Sequence, residues 1–348
     1  MDKTIKVGIA GAKFAGDFHA QVWKKIPGVK IEAIADLDAA VRSDFMKRHG
    51  VVKGYGRYEE LVSDPEIDVV DVCLPNFLHS EVSIAAMTAG KHVICEKPVA
   101  TTIEDGEGLV ACQSKTGQMF FYAEDWIFAP SLVRTVEIMQ EGGIGKPLYF
   151  KGKECHNGSH SPFAQKINFC GGGSLIHLGV HPVGFFTSLL GMPESVVGKC
   201  SAGGEKNIIH KELEGEDWAI GVLSYRDGVQ AVVEGNYITQ GGMDDVIEVY
   251  GTEGVIKINL TFGSPLRVYS RKGFQYTIEK ADFTHGWSNP AVDEYYSLGY
   301  RDELTHFLCC ISGTSEQADG TTAEAGLNVL RIIDAIYRSN REGKSVTL

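Results

Sequence analysis

Glu96-Lys97-Pro98 follows a short apolar run, His92-Val93-Ile94-Cys95, which itself follows Gly90 and a helical pattern over Leu78–Ala89. A strand of a parallel sheet is buried on both faces, so charge appears only where it emerges at its carboxyl end. Open α/β sheets bind their ligands at that end. Pro98 lacks an amide donor and holds Lys97 to extended geometry, which sets the direction in which the lysine leaves the strand. A glutamate and a lysine at such an exit either serve a ligand or form a plain salt bridge. A second group is His177 and His181, four residues apart after Gly171-Gly172-Gly173 and on one face of a helix predicted over Leu175–Leu190. Imidazoles titrate at about 6.5 and can move protons near neutrality, although two at this spacing can also be polar packing. A third group is Glu154-Cys155-His156-Asn157-Gly158-Ser159-His160; four of the eleven histidines fall between positions 156 and 181. Such nitrogen and carboxylate ligands can hold a divalent metal, but the spacing matches no closed structural zinc pattern.

Gly11-Ala12-Lys13-Phe14-Ala15-Gly16 turns an apolar strand, Ile5–Ala10, into a helix running to about Lys25. A helix start offers free amides and a positive dipole end to a pyrophosphate. Gly11 supplies the tight turn and Gly16 the close approach of helix to strand. Position 13 is lysine where a dinucleotide fingerprint has its middle glycine; a lysine can itself meet phosphate. Asp36 lies twenty residues past Gly16 at the end of the second strand, where an acid binds a ribose 2′-hydroxyl and repels a 2′-phosphate. NAD is therefore expected over NADP. The bland reading is a strand-to-helix turn followed by a helix-capping Asp.

These residues need elements to place them. Strands at Lys30–Ala35, Asp68–Leu74 and Gln118–Ala123 alternate with helices ending at His49, Ala89 and about Lys115. That alternation predicts a doubly wound parallel sheet, a Rossmann-like domain over 1–123. From 124 to 348 the pattern changes to longer strands, Pro147–Cys155, Ser195–Ser201, Asp217–Tyr225, Val229–Thr239, Asp245–Tyr250 and Val255–Asn259. Turn signals at Tyr225-Arg226-Asp227-Gly228 and Thr252-Glu253-Gly254 join some of them directly. A largely antiparallel open sheet with interrupting helices, an α+β domain, is expected there.

The chain has 348 residues, enough for two domains with their own cores. A net charge of −12 gives no support to nucleic-acid binding. No apolar run approaches the roughly 20 residues that span a bilayer, so no membrane partner is expected. Met1-Asp2-Lys3-Thr4 leads straight into a strand, and the eight cysteines include no C-x-x-C. That usage predicts free thiols and a cytoplasmic protein.

The G-x-x-x-x-G turn, Pro75-Asn76-x-x-His79, Glu96-Lys97-Pro98 and Gly171-Gly172-Gly173-Ser174-Leu175-Ile176-x-Leu178-Gly179-x-His181 resemble the glucose–fructose oxidoreductase / inositol dehydrogenase (Gfo/Idh/MocA) family. The resemblance runs over nearly the whole chain, through Gly251-Thr252-Glu253-Gly254 and Ile333–Ser339. It implies a nicotinamide cofactor, a substrate-binding second domain and a homo-oligomer, dimer or tetramer. Sugars, cyclitols and their derivatives are the implied substrates, and no metal is implied. In that family the E-K-P lysine and a D-x-x-x-H pair surround the reacting hydroxyl. Lys97 and His181 match the first and last of these, whereas the aspartate's position is His177. His177 then either serves as the base or binds substrate while Lys97 and His181 transfer the proton. The cofactor set is Gly11, Lys13, Phe14, Gly16, Asp36, Pro75, Asn76, His79, Glu96 and Lys97. Glu154, His156, His160, Asn168, Trp126 and Tyr122 are the substrate candidates, hydrogen bonding to hydroxyls or laying an aromatic face on a ring; Glu124 is a further polar candidate or a boundary charge. His79, although it could approach the nicotinamide, is more often structural than functional at such a place, as are His19 and His92, and Cys309-Cys310 packs in an apolar helix.

The expected function is thus NAD-dependent oxidation of a secondary hydroxyl on a sugar, glycoside or cyclitol. Two alternatives stay open: redox-neutral cleavage of a glycoside through transient oxidation, suggested by the incomplete D-x-x-x-H pair, and a non-catalytic sugar or cofactor sensor.

Overall fold

The computed structural model describes residues 4–159, 161–261, 268–271, 286–288 and 293–348. It divides into two compact units, 1–125 with 300–330, and 126–299 with 331–348.

In the first unit, β1 (Ile5–Ala10), β2 (Val29–Ala35), β3 (Lys53–Tyr55), β4 (Val69–Val72), β5 (His92–Cys95) and β6 (Phe120–Tyr122) form one parallel sheet in the order β3-β2-β1-β4-β5-β6. The order reverses at β1, so the chain leaves β1 and β4 in opposite directions and opens a crevice beyond their carboxyl ends. The Gly11 turn follows β1 and Pro75-Asn76 follows β4. Val7, Ile9, Val69, Val70, Val72, Val93 and Ile94 are fully buried, as strands covered on both faces must be. Asp38 caps the helix Ala39–His49 by accepting from the amides of Ala40 (2.9 Å) and Val41 (3.2 Å), and Gly50 ends it at φ 72°. The three-residue edge strand β3 and the short helix Tyr58–Ser63 were not expected, because neither carries an apolar repeat long enough to read.

Residues 300–330 had been expected in the second domain. They belong to the first unit because of non-local packing: Tyr300 meets Phe18 at 4.6 Å, Phe307 stacks on Phe121 at 4.6 Å, and Gln317 Nε2 donates to Phe120 O at 2.7 Å.

The second unit is built on a mixed sheet of β7 (Pro147–Cys155), β8 (Ser195–Cys200), β9 (Trp218–Ser224), β10 (Gln230–Asn236), β11 (Val246–Gly251), β12 (Val255–Asn259) and the C-terminal strand Val346–Thr347. β7 lies between β11 and β10, antiparallel to the first and parallel to the second. The parallel pair is possible because helical segments, rather than a tight turn, carry the chain from β7 to β8. The β9–β10 hairpin turns through the three residues Arg226, Asp227 and Gly228, the last two at positive φ, 63° and 79°. Phe150, Val196, Ala219, Leu223, Ala231, Val233, Ile247 and Val249 line one buried face. Helices cover it closely: a side chain at Gly152 would meet Pro182 and Phe186, and one at Gly221 would meet Ile336. The stretch Ile167–Leu190 is long and apolar enough to pass for a membrane span, contrary to the expectation that none would, but it lies mostly inside this unit as its core segment.

Candidate cofactor and substrate sites

In the first unit, the start of helix Phe14–Trp23 is capped by Lys13, whose side chain makes no hydrogen bond to the helix's first amides. Two glycines make the turn possible. Gly11 sits at φ 103°, and a Cβ on it would stand 2.3 Å from Cys73 O; one on Gly16 would stand 1.8 Å from Gly11 O. Backbone therefore occupies the space that any side chain would need, leaving amides rather than side chains at the helix start. Lys13 and Phe14 are exposed beside the turn. Half-buried Asp36 accepts from Ala12 N and Asp38 N, both at 2.9 Å, which ties the end of β2 to the glycine turn. A carboxylate has acceptor capacity beyond two such bonds, so Asp36 can still take ribose hydroxyls. Donors at a helix start, glycine-enforced backbone approach and a carboxylate at the end of β2 fit a dinucleotide lacking a 2′-phosphate.

At the end of β5, Lys97 is half-buried and Glu96 is buried. Glu96 Oε2 accepts the Lys97 amide at 3.0 Å, and its Oε1 lies 3.0 Å from His19 Nε2. His19 Nδ1 lies 3.0 Å from both oxygens of Asp71, and Trp23 Nε1 donates to Asp71 Oδ2 at 2.7 Å. Burial opposes charge on His19, but Asp71 and Cys73 together outweigh it and hold the imidazole well above its ordinary value. A buried cation between two carboxylates thus anchors the base of the Lys97 turn. Glu303, wholly buried in the same unit, is pushed well above the usual carboxylate range by burial, with the neighbouring carboxylates Asp125, Glu96 and Glu124 adding to the effect and His19 opposing it.

Other candidates of this unit take different places. Pro75 leads into the 3₁₀ turn Asn76–Leu78. His79, expected at the cofactor, is 1 % exposed, and its ring nitrogens lie 2.7 Å from Pro98 O and 2.8 Å from Leu74 O. It braces two strand exits, and no ring nitrogen is left to face a ligand. Tyr122 is also fully buried, with its hydroxyl donating to Glu124 Oε2 at 3.4 Å, so it is a core residue of its unit rather than a surface for a sugar ring. His92 accepts Met119 N at 3.1 Å.

In the second unit the glycine run leads into a π-helical turn, Leu175–Gly179, and then helix Val180–Leu190. The widened turn departs from the continuous α-helix expected here; such turns are frequent at functional sites. His177, half-buried, places Nδ1 2.5 Å from the hydroxyl of Tyr237. Burial pushes that phenol well above its usual value, with Glu216 adding to the effect, so the partner of His177 is neutral. His181, 3 % exposed, has Nε2 3.4 Å from Glu154 Oε2, and Trp126 stacks on its ring at 5.5 Å and 18°. The carboxylate beside His181 therefore comes from β7, not from one turn earlier on the helix. His156 lies against the Tyr237 ring at 5.3 Å. Glu154, His181 and Trp126 form one contact group, and His156, His177 and Tyr237 form another, with His177 and His181 four residues apart on the same helical segment. Asn168 is exposed on the short helix Ile167–Cys170; His160 lies outside the described residues.

The glycine run is held from behind. Glu216 Oε2 accepts Gly173 N at 3.0 Å, Oε1 accepts Leu175 N and the Tyr337 hydroxyl at 2.9 Å each, and Glu216 O accepts Ser174 N at 2.8 Å. Tyr237, Glu216, Asp71 and His19 were not among the sequence candidates for the site. Asp71 left a trace, a charge inside the apolar run Val69–Val72; the others depend on contacts 43 to 60 residues away in the chain or more.

Residues 5–124 match the model of the Gfo/Idh/MocA oxidoreductase family's NAD-binding Rossmann fold, and residues 136–348 match its C-terminal alpha/beta domain. Myo-inositol 2-dehydrogenase of Thermotoga maritima is 27% identical over 349 residues, covering 99% of this chain and 98% of that protein. The scyllo-inositol 2-dehydrogenase (NAD(+)) of Bacillus subtilis is 26% identical over 353 residues, covering 100% of this chain and 97% of the other. The crystal structure of GenD2 from gentamicin A biosynthesis, in complex with NAD, has the same fold: TM-score 0.92 at 22% identity, covering 100% of this chain and 97% of that one. Matched along both of its domains, the chain belongs to the Gfo/Idh/MocA oxidoreductase family, with an NAD-binding Rossmann domain and that family's C-terminal α/β domain.

Proposed function

We propose that this protein oxidises a secondary hydroxyl of a cyclitol, sugar or glycoside. The observation that carries the reading is the histidine group of the second unit: His181 beside Glu154 and under Trp126, and His177 on Tyr237. Imidazoles backed by a carboxylate and a phenol suit removal of a hydroxyl proton, and the relatives named inositol dehydrogenases support a polyhydroxylated substrate. Bound NAD supplies the acceptor for the hydride that leaves the carbinol carbon. His181 handles the hydroxyl proton in the second unit. Glu154 supplies His181 with fixed negative charge that an imidazole at position 177 cannot give, favouring the imidazolium as it forms. His177, buttressed by neutral Tyr237, donates to or accepts from a neighbouring substrate hydroxyl. Asp36 favours NAD over NADP.

Redox-neutral glycoside cleavage is the second reading. His177 on Tyr237 is a second acid–base group beside the first, which oxidation alone does not require. The described face of the second sheet that bears Val197, Val222 and Val255, each at least one-third exposed, supports assembly into a homo-oligomer. Eight free thiols support a reducing, cytoplasmic setting.

Incubating the purified protein with NAD and a panel of inositols, free sugars and aryl glycosides, with NADH and product mass recorded together, tests the reading. A product two hydrogens lighter with matching NADH is expected. Cleaved glycoside without NADH would replace oxidation by the second reading, and no turnover of any panel member would count against both.

A further inference from the structure

Three glycines precede the π-turn, and two are required by close neighbours, one on the Gly215-Glu216 segment and one on the C-terminal helix. A Cβ on Gly173 would stand 2.0 Å from Glu216 O, and one on Gly172 2.3 Å from the Tyr337 hydroxyl. On the facing side, a Cβ on Gly215 would stand 2.7 Å from the backbone of Gly172. The two segments touch through missing side chains, and the buried Glu216 carboxylate closes the contact with three donors. His177 N donates to Gly173 O at 3.3 Å, so the loop that Glu216 holds is the one from which the His177 turn begins.

We propose that Glu216 is a positioning residue for His177: as a carboxylate it clamps the Gly171–Leu175 loop, and on taking up a proton it releases part of that clamp. An ionised carboxylate accepts all three donors. A protonated one carries a hydrogen on one oxygen and has lost the charge that strengthens all three bonds, so those from Gly173 N and Leu175 N weaken and the Tyr337 hydroxyl can turn from donor to acceptor. The titratable groups facing it are Tyr337 on the C-terminal helix, Tyr237 at the end of β10, Cys170 before the loop and Cys200 at the end of β8. These phenols and thiols are kept neutral by burial. Burial outweighs the hydrogen bonds to Leu175, Tyr337 and Gly173 and pushes Glu216 up to about 7, so the change of state falls at ordinary working pH.

The inference deepens the dehydrogenase reading, on which the importance of His177 rests, but its first test needs no substrate. Amide hydrogen exchange over residues 171–181, corrected for the intrinsic pH dependence of exchange, is measured from pH 5.5 to 8.5. Protection of the Gly173 and Leu175 amides in the wild type should rise about tenfold as Glu216 ionises. In Glu216→Gln it should be lower and flat with pH. Tyr337→Phe keeps both backbone bonds, so it should keep the rise but move its midpoint to higher pH. Wild-type protection that does not change with pH overturns the proposal even if the variants do not fold. Where a substrate has been found, Glu216→Gln should lower kcat more than it changes KM and remove the limb of the kcat profile near pH 7. A clamp seen by exchange with no turnover would sink the dehydrogenase reading and leave this one standing.

Discussion

Gly16→Ala tests the cofactor cradle where the geometry is tightest. The new Cβ would stand 1.8 Å from Gly11 O and 3.4 Å from Ile9 Cγ2. Comfortable contact between such atoms is roughly 3.5 Å, so more than 1 Å, by this estimate, must be found by moving helix Phe14–Trp23 off β1. Gly11 cannot yield, because it is held at φ 103° with Cys73 O against it. Overpacking a tight site costs about 1–3 kcal/mol and sometimes more; with backbone as the obstacle the cost should be about 3 kcal/mol. At about 2–4 °C per kcal/mol for a domain of this size, Tm should fall by roughly 6–12 °C. The displaced helix start should also lose NAD affinity by at least about tenfold. Gly108→Ala is the control: it lies exposed in helix Ile103–Thr116 with its nearest neighbour, Ile84 Cδ1, 3.9 Å from the added carbon, and it should gain about 0.5–1 kcal/mol. Differential scanning fluorimetry and calorimetric NAD titration give both numbers. A Gly16→Ala protein that melts with the wild type and binds NAD equally would refute the reasoning.

Asp71→Asn removes the charge that holds His19 protonated and should cost about 3–5 kcal/mol at pH 6, as breaking a buried pair does. His19 is raised above its ordinary value, so this stability is complete below that value and is lost as pH climbs through the raised one. Urea melts of wild type and variant should therefore converge at alkaline pH; a difference under about 1 kcal/mol at pH 6 would show the pair to be inert. Tyr237→Phe deletes the hydroxyl 2.5 Å from His177 Nδ1. It should cost about 1 kcal/mol in stability and about tenfold in kcat, and full retained activity would remove Tyr237 from the site. Asp36→Ala should lower the NAD-over-NADP ratio of kcat/KM at least about tenfold; an unchanged ratio would separate Asp36 from ribose recognition.

Elements marked by local pattern were legible in the chain. β7, Pro147–Cys155, matches its expected bounds because alternation and a leading proline delimit it. The helix Ala39–His49 ends at Gly50 as its glycine signal predicts. The glycine turn and Asp36 were readable as a cofactor signature, since the physics of a helix start near a tight turn is local. What stayed hidden is long-range. Nothing near residue 300 announces that Tyr300 will sit on Phe18, so the return of 300–330 to the first unit was not foreseen. His79 is chemically a good ligand, and only its two carbonyl neighbours, Pro98 and Leu74, show it to be a brace. The absence of an aspartate at position 177 was visible; that β7 brings Glu154 to His181 instead was not, because strand register and helix docking decide it together.

The measurement that bears most directly on the account is transfer of label from substrate to cofactor. An inositol or sugar turned over in the panel assay, carrying deuterium on its carbinol carbons, is incubated with the protein and NAD, and both products are weighed by mass spectrometry. The account predicts one deuterium in the reduced nicotinamide for each molecule of carbonyl product. Turnover that leaves every deuterium on the carbohydrate, with no labelled NADH formed, would contradict it.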